Sequence, residues 1–407
     1  ALAVRAGKVS EALEVARRAR GRVLEAVRLS DRVSHLPAAQ RARWDATLAS
    51  YRQEREALDE EAAGDWRLPA ARLAEVLGAR RLREKRLRVL LEEAFSLLAP
   101  ARAEPGPRPH PAPGELWLVY YPAPRGWVGF AASALGVKAR FLEPVAANAP
   151  PAVLAATLLE PFREELSAAS RLTLVPYGVL RAVDFHALPF GGDVLVAGRP
   201  VAYALDLTAP APRGEEGPER TALIVADPEG NLPRAREEAR LVQEALREDW
   251  QVRVQSGSAA TGAEVRAALE RVELFHYAGH GRFAGLGGWE SAMPLHEGQL
   301  LVGDVLALRR VPSWVVLSGC ETVRAAQESP VEGMGLAQAF LAAGTRGAVA
   351  AWREVDDTHA MELMRTLYRH GGPRTATGLP EALRQAQLEL RARQPEADWA
   401  AFRALIP

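Results

Sequence analysis

Apolar positions follow two different patterns along the chain. In residues 1–100, which are rich in Ala, Leu, Arg and Glu, they recur every three or four positions, as on the buried face of a long helix. Beyond residue 115 they gather into short runs rich in Val, Leu and aromatic residues, and from Thr221 onwards these runs alternate with helical segments. Such alternation is typical of a largely parallel β-sheet flanked by helices. We therefore predict an α/β protein preceded by an all-helical arm.

Two proline-rich polar segments, residues 103–114 and 209–218, separate these regions. Alternating prolines favour an extended linker over a packed element. The predicted organisation is a helical arm over 1–102, a linker over 103–114, a first α/β half over 115–208 and a second α/β half over 221–407.

The first α/β half has predictable structure but no convincing catalytic constellation. Residues 117–121 and 127–130 have the pattern of a β-hairpin, and a helix from Pro151 to Ala168 leads into a strand over Arg171–Val175. His186 lies in a loop region without an obvious partner. Such a histidine is more often structural than catalytic.

Two short apolar runs in the second half end in small residues and then in a reactive side chain. The run Ser-Trp-Val-Val-Leu-Ser-Gly precedes Cys320, the only cysteine among 407 residues, and the run Val-Glu-Leu-Phe-His-Tyr-Ala-Gly precedes His280. Each run predicts a buried strand that stops abruptly. Two parallel neighbouring strands would place both side chains on one rim of the sheet, where open α/β sheets bind their ligands. A thiol beside an imidazole is the minimum requirement for a cysteine nucleophile with a general base.

Other interpretations of these residues stay open. A lone cysteine is usually a small buried hydrophobe. His276 lies within the apolar run on the same strand face as His280, so it competes for the role of base. It lacks the terminal, glycine-flanked setting, and we interpret it as a supporting or core histidine. The spacing of the two histidines also suits a metal site on a helix, but Gly279 and Gly281 disfavour a helix and no cysteine cluster accompanies them.

Composition narrows the class of protein. Lys and Arg total 51 and Asp and Glu total 51, so the formal net charge is zero, which argues against a generally basic nucleic-acid binder. A single cysteine excludes an internal disulfide framework and fits a reducing cytoplasm. We find no apolar run long enough to span a bilayer and no signal peptide. The chain opens in helical composition, and we expect it to continue a longer polypeptide.

At these residues the chain resembles a known family. The motifs His-Tyr-Ala-Gly-His280-Gly and Leu-Ser-Gly-Cys320-Glu-Thr are similar to the signature of the CHAT family, which are caspase- and separase-like cysteine peptidases often fused to tetratricopeptide repeats. Further similarities occur in order at residues 174–180, 188–190, 226–228, 232–238, 333–337, 352 and 398–402. Together they cover most of residues 115–407, so the resemblance is far more specific than either short motif.

The resemblance implies a caspase-like, mostly parallel sheet flanked by helices, with residues 115–208 as a non-catalytic half that packs against the catalytic one. It also implies that Cys320 attacks a peptide bond, that His280 is the general base, and that the backbone N–H groups of Gly281 and Cys320 bind the oxyanion. No third acidic residue is evident, and similar families generally do without one. We expect no cofactor.

Regulation by a partner is also expected. The helical arm resembles the last repeat-like helix before such peptidases at Gly7, Ala12, Ala16 and Arg17, although no full repeat is evident. Two loops, Phe283–Gly288 and Thr322–Pro330, flank the predicted site, and peptidases of this kind commonly await a partner that orders such loops. We therefore expect a regulatory protein or complex at the arm. A flexible surface without a regulatory role explains these loops equally well. Direct nucleic-acid binding is not expected, because the arginines of the arm fit a solvated face.

A specificity pocket is predicted in the segment that follows the strand Ala348–Trp352. The resemblance to separase-like relatives implies a carboxylate there that pairs with a Lys or Arg side chain before the scissile bond. Asp356 is the first choice, with Asp357 and Glu354 as alternatives. Asp357 also precedes a predicted helix, where an acidic residue is expected simply as a cap.

The sequence thus predicts a cytoplasmic cysteine endopeptidase that cleaves a protein substrate. The alternatives are a catalytically silent interaction scaffold and a metal-dependent hydrolase, and a complete Cys/His pair at strand ends disfavours the scaffold. The glycine-rich segment Arg282–Val311 is expected to be a surface excursion beside a substrate groove. Helices over Thr358–His370 and Leu379–Ala392 are expected to close the domain.

Overall fold

The computed structural model describes most of the chain. The described residues are 2–25, 36–62, 110–205, 220–282, 291–319, 335–375 and 378–407, apart from positions 297, 307 and 309, together with single positions between 69 and 97. They belong to two compact units, one of residues 1–24 with 105–407 and one of residues 25–104.

The predicted helical arm over 1–102 is therefore split between the two units, with residues 1–24 in the larger one. Helices α1 (Leu2–Arg5) and α2 (Val9–Glu25) open the larger unit. The apolar stripe of α2 is buried in one cluster with residues of the first two strands, which explains why it stays with the sheet. The buried members of that cluster are Ala12, Leu13, Ala16, Val119, Val128, Phe130, Ala132, Val175 and Ala204. Helix α3 (Ala38–Ala62) belongs to the smaller unit.

The first α/β half supplies strands on one side of a large sheet. Its strands are β1 (Glu115–Ala123), β2 (Gly126–Ser133), β3 (Gly136–Leu142), β4 (Arg171–Val175), the short hairpin β5 (Pro189–Phe190) and β6 (Asp193–Val194), and β7 (Val201–Ala204). Its helices are α4 (Pro151–Leu158), α5 (Arg163–Ala168) and α6 (Leu195–Gly198).

The structure confirms two predictions for this half. The predicted hairpin is β1 paired antiparallel with β2, and the predicted helix over 151–168 is α4 and α5 joined by a short 3-10 turn. The sequence did not predict β3, which pairs with β2 at the edge of the sheet. Its exposed positions include Arg140 and Phe141, so it lacks the apolar pattern of an interior strand.

The second half follows the predicted alternation. Its strands are β8 (Thr221–Ala226), β9 (Gln251–Ser256), β10 (Leu274–Ala278), β11 (Ala292–Leu295), β12 (Gly298–Leu301), β13 (Trp314–Leu317), β14 (Gly347–Ala351) and β15 (Phe402–Ile406). Its helices are α7 (Pro233–Leu246), α8 (Gly262–Leu269), α9 (Val302–Leu306), α10 (Leu336–Ala343), α11 (Asp357–Arg369) and α12 (Gly378–Arg393).

One continuous sheet contains strands of both halves, in the order β3-β2-β1-β4-β7-β15-β14-β13-β10-β8-β9. Neighbours are parallel except for β1 with β2, β2 with β3 and β14 with β15. Helices α7, α11 and α12 bury one apolar cluster against β8, β10, β13, β14 and β15. The predicted fold class, a mostly parallel sheet flanked by helices, is confirmed.

The last strand joins the two halves. β15 lies between β7 and β14, parallel to the first and antiparallel to the second. The sequence pattern predicts helices at the end of the domain and does not predict this strand, although Phe402 and Ala404 are buried in the sheet. The halves therefore share hydrogen bonds along one sheet in addition to side-chain contacts.

A buried polar cluster lies beside this joint. The Arg403 guanidinium stands over the rings of Trp352 and Tyr203, at 4.4 and 4.7 Å from their centroids, and pairs with Asp184 at 2.7 Å. Arg353 pairs with Asp184 as well. Burial by itself would raise the pKa of Asp184, but the charges of Arg403 and Arg353 hold it below its ordinary value.

His186 is part of the same cluster and is fully enclosed. Its Nδ1 lies 2.7 Å from the Tyr203 hydroxyl and its Nε2 lies 3.0 Å from the carbonyl oxygen of Ala400. A carbonyl only accepts, so Nε2 carries the proton and Nδ1 accepts from the tyrosine. Burial lowers the pKa of His186 to about 4, which keeps the ring neutral. These contacts give it a structural role.

The segment between β10 and β13 differs from the predicted surface excursion. Strands β11 and β12 pair with each other and lead into α9. All four side chains of β11 and all five residues of α9 are buried. Their apolar residues complete the core, so only a part of Arg282–Val311 can border a groove. Residues 283–290 of that segment lie outside the described residues.

Candidate active site

The two strands that precede the candidate residues are parallel neighbours. β10 pairs with β13 in a register that runs from Leu274 with Trp314 to Tyr277 with Leu317. His280 and Cys320 each follow three residues after that last pair. The predicted pairing of these strands is therefore correct. Cys320 itself lies outside the described residues.

The segment that leads into Cys320 touches the turn that carries His280. The Ser318 N–H donates to the Tyr277 carbonyl at 2.8 Å, which extends the ladder beyond the strands. A Cβ added to Gly319 would lie 2.6 Å from the Gly279 carbonyl oxygen and 3.2 Å from the Gly281 nitrogen. Only glycine fits so close to another backbone. The two chain segments thus meet at the rim.

Tyr277 holds the turn from beneath. Its buried hydroxyl lies 2.8 Å from the carbonyl oxygen of His280 and 2.8 Å from that of Pro294, so one proton is shared between two acceptors. Burial raises the pKa of this phenol well above its ordinary value, and the hydroxyl stays a donor. The backbone of His280 is therefore tied to β11.

The His280 imidazole is partly exposed and contacts a residue that the sequence analysis missed. Its Nε2 lies 3.1 Å from Oδ1 of Asn231, which stands in the loop between β8 and α7. The one feature that could have pointed to Asn231 is the sheet order, because β8 is the other neighbour of β10 and ends at the same rim.

His276 lies below the rim in the interior. Its Nε2 is 2.9 Å from Oε1 of Glu238 and its Nδ1 is 3.0 Å from the Tyr368 hydroxyl. The other Glu238 oxygen accepts a hydrogen bond of 3.1 Å from Ser318. Both ring nitrogens are occupied in a fully buried setting, which suits a core histidine that supports the segment before Cys320.

The two candidate specificity carboxylates differ in their surroundings. Asp356 caps α11, where it accepts from the N–H groups of Thr358 and His359 at 2.9 and 3.3 Å. The cap that the sequence suggested for Asp357 is therefore made by Asp356, because the helix begins one residue earlier than predicted. The alternative Glu354 is exposed.

Asp357 occupies the first position of α11 and is half-buried. Burial raises its pKa, whereas the positive charge of a protonated His280 acts in the opposite direction. An electrostatic effect of this kind requires proximity, so the structure brings Asp357 towards His280 and leaves the Asp356 carboxylate occupied by the helix.

Among the described residues, no group of three or more His, Cys, Asp or Glu side chains is arranged to hold a metal ion. No helix within the described ranges is long and apolar enough to cross a membrane.

In this mostly parallel sheet, two neighbouring strands lead to a histidine and a cysteine. A family model described as the CHAT domain matches residues 149–407, which is more than half of the chain. This protein belongs to the CHAT domain family. That match does not include the segment that resembles tetratricopeptide repeats. No curated protein matches the chain.

Two of the solved structures with some similarity to the chain are complexes. The Saccharomyces cerevisiae separase–securin complex matches with 13% identity and a TM-score of 0.42, over 58% of this chain and 15% of that chain. The complex of Porphyromonas gingivalis RgpB pro- and mature domains matches with 11% identity and a TM-score of 0.40, over 62% of this chain and 69% of that chain. The match thus spans only a small part of the separase.

Proposed function

We propose that this protein is a cysteine endopeptidase in which Cys320 attacks the scissile carbonyl and His280 acts as general base. The observation that carries the proposal is the register of β10 with β13, which gives the two residues the same offset from a paired strand end. The contact of Gly319 with the turn of His280 supports it.

The chemistry follows from the two side chains. A free thiol has a pKa near 8.5, so about a few per cent is thiolate at neutral pH. The imidazole takes the thiol proton as sulfur bonds to the carbonyl carbon, and then gives that proton to the leaving amine as the C–N bond breaks. Water, deprotonated by the same imidazole, hydrolyses the acyl-enzyme and restores the thiol.

The oxyanion of each tetrahedral intermediate needs hydrogen-bond donors. We assign this role to the backbone N–H groups of Gly281 and Cys320. Within the described part of the chain no acceptor takes the Gly281 N–H, so this donor is free to bind a developing charge. Loss of one such donor typically costs about 10²–10³ in turnover.

For specificity we propose a basic residue before the scissile bond. Asp357 fits this role better than Asp356, because its carboxylate is half-buried, lies near His280 and is not needed to cap α11. A desolvated carboxylate pairs strongly with a guanidinium or an ammonium group.

We also propose that a regulatory protein or complex controls the site. Residues 25–104 form a compact unit of their own and supply no residue to the site described above. That unit is the proposed contact surface. The loops Phe283–Gly288 and Thr322–Pro330, expected to respond to such a partner, lie outside the described residues.

Proteolysis of an unfolded protein mixture tests the central proposal. New peptide N-termini mapped by mass spectrometry should be produced by the wild type and lost in Cys320→Ala and in His280→Ala, with the double variant no worse than either single one. His110→Ala, at an exposed histidine far along the chain from the site, is the matched control and should behave as the wild type.

Two results would overturn the proposal. Cleavage that survives in Cys320→Ala excludes this nucleophile. Absence of cleavage together with slow alkylation of Cys320 in the wild type would favour the catalytically silent scaffold.

A further inference from the structure

We propose that Asn231 is a positioning residue for His280, which holds the imidazole with its proton on Nε2 and leaves Nδ1 as the atom that receives the thiol proton. This inference rests on the proposed peptidase function for its consequences in catalysis. The orientation of the ring can be tested separately.

The hydrogen bond itself determines the tautomer. An amide oxygen has lone pairs and no proton, so the contact of 3.1 Å between Asn231 Oδ1 and His280 Nε2 requires the imidazole to donate. In a neutral ring the other nitrogen is then an acceptor. Among the described residues no second hydrogen-bond partner contacts this ring, so Nδ1 is available to a thiol.

The loop that presents Asn231 is rigidly held. Asp227, at the end of β8, has a left-handed φ of 47° and is almost fully buried. Its carboxylate accepts from the Leu232 N–H at 2.8 Å and from Arg236 at 2.6 Å, and its own N–H donates to the Ala278 carbonyl at 2.8 Å. A strained conformation kept in place by this many bonds points to a function for the loop.

A second contact ties the same loop to the turn of His280. Glu229, two residues before Asn231, pairs with Arg282, two residues after His280, at 3.3 Å. The loop is thus connected to Ala278 at the end of β10 and to His280 and Arg282 in the turn that follows, which fixes the position of the amide relative to the ring.

The elements next to His280 carry several charged groups. Asp357 is the first residue of α11, and its carboxylate responds to the charge of the imidazole. Asp227 and Glu229 belong to the loop after β8, Arg236 belongs to α7, and Arg282 belongs to the turn itself. Asn231 orients the ring without adding a charge. An aspartate in its place would keep the acceptor and favour the imidazolium.

Asn231 neither gains nor loses a proton during the reaction. The thiol proton moves to Nδ1, which gives a thiolate and an imidazolium whose Nε2–H still donates to the amide. The Nδ1 proton then moves to the leaving amine, and the neutral tautomer returns. A ring free to rotate would offer Nδ1 for only part of the time, so loss of Asn231 should lower kcat more than it raises KM.

The first measurement is the ¹⁵N and ¹³C NMR spectrum of the His280 imidazole in the full chain carrying Cys320→Ala, assigned by difference from a His280→Gln variant. We expect the tautomer protonated on Nε2, and a mixture of tautomers after Asn231→Ala. A ring protonated on Nδ1, or a spectrum unchanged by Asn231→Ala, overturns the inference. This readout needs no cleavage, so it separates failure of this inference from failure of the peptidase proposal.

The second measurement is the pH profile of peptide cleavage. Asn231→Ala should lower kcat by roughly 10–100-fold with little change in KM. Asn231→Asp should restore most of kcat and move the acidic limb of the profile upwards by about one pH unit. Asn148→Ala, at an exposed asparagine in another loop, is the matched control and should change neither value. A wild-type kcat in Asn231→Ala contradicts the positioning role, whereas cleavage independent of Cys320 contradicts the peptidase.

Discussion

The rim of the sheet at β10 and the joint between its halves at β15 both combine a histidine with carboxylates, yet their histidines are in opposite states. His186 at the joint has both nitrogens bonded and is fully enclosed, and its pKa falls to about 4. His280 at the rim is partly exposed, and among the described residues its ring bonds through one nitrogen. A ring with every polar atom satisfied can only stabilise the fold, whereas a ring with a free nitrogen can exchange a proton.

The charges at the two places differ in the same way. At the joint, Arg403 and Arg353 neutralise Asp184 within the protein. At the rim, Asp357 keeps a raised pKa and has no cation bound to it among the described residues apart from the imidazole nearby. A complete ion pair is costly to break, and an incomplete one is available to a substrate.

The largest effect on stability is expected from the joint. Arg403→Met removes the guanidinium between two rings and leaves Asp184 buried with Arg353 alone, so the free energy of unfolding should fall by roughly 3–5 kcal/mol. Urea unfolding measures it. The control is Arg391→Met, which also loses a ring contact and an ion pair but at the surface, and should cost about 1 kcal/mol or less. Equal losses in the two variants would contradict the distinction.

Acid should weaken the joint through His186. The unfolded ring has a pKa near 6.5 and the folded ring about 4, so the unfolded state binds more protons between these values. The stability is complete above about pH 6.5 and is lost as pH falls to about 4, by roughly 3 kcal/mol. Unfolding experiments over this range should show a smaller pH dependence for His186→Gln than for the wild type. Parallel curves for the two proteins would exclude a neutral His186.

Substitution of His276 should affect stability far more than turnover. Because its ring satisfies Glu238 and Tyr368 in the interior, His276→Ala should lower the free energy of unfolding by roughly 1–3 kcal/mol. Turnover per folded molecule should stay far closer to the wild type than in His280→Ala. A loss of turnover equal to that of His280→Ala would mean that the base was chosen wrongly or that both histidines are needed.

The smallest effects are expected at the two neighbouring aspartates. Asp357→Asn should remove a preference for Arg or Lys before the scissile bond in a scanned peptide library. Asp356→Asn should keep that preference, since asparagine caps a helix as well as aspartate does. A preference for apolar or acidic residues in the wild type would remove the pocket. A preference that disappears only in Asp356→Asn would identify Asp356 as the carboxylate that binds the basic residue.

The sequence predicts buried interior strands better than edge or joining strands. The apolar runs predict β10 and β13 and their pairing, because burial on both faces requires a continuous hydrophobic run. The edge strand β3 and the joining strand β15 were missed. β3 is polar and exposed along one side, and β15 follows two helices across the boundary between the halves.

The site shows the same limit. His280 and Cys320 could be proposed from the sequence because each follows a strand and stands beside glycine. Asn231 and the exchange of roles between Asp356 and Asp357 could not, since the first depends on a loop held by Asp227 and the second on where α11 begins. A contact between segments distant in sequence determines the first, and the exact start of a helix determines the second.

Alkylation of the single cysteine as a function of pH tests the central claim most directly, because any label must map to Cys320. The pairing of thiol and imidazole predicts that iodoacetamide reacts with the wild type at least about tenfold faster than with His280→Ala at pH 7. The variant should follow the ordinary thiol pKa near 8.5. Identical pH profiles in the two proteins, both centred near that value, would contradict a Cys320–His280 pair.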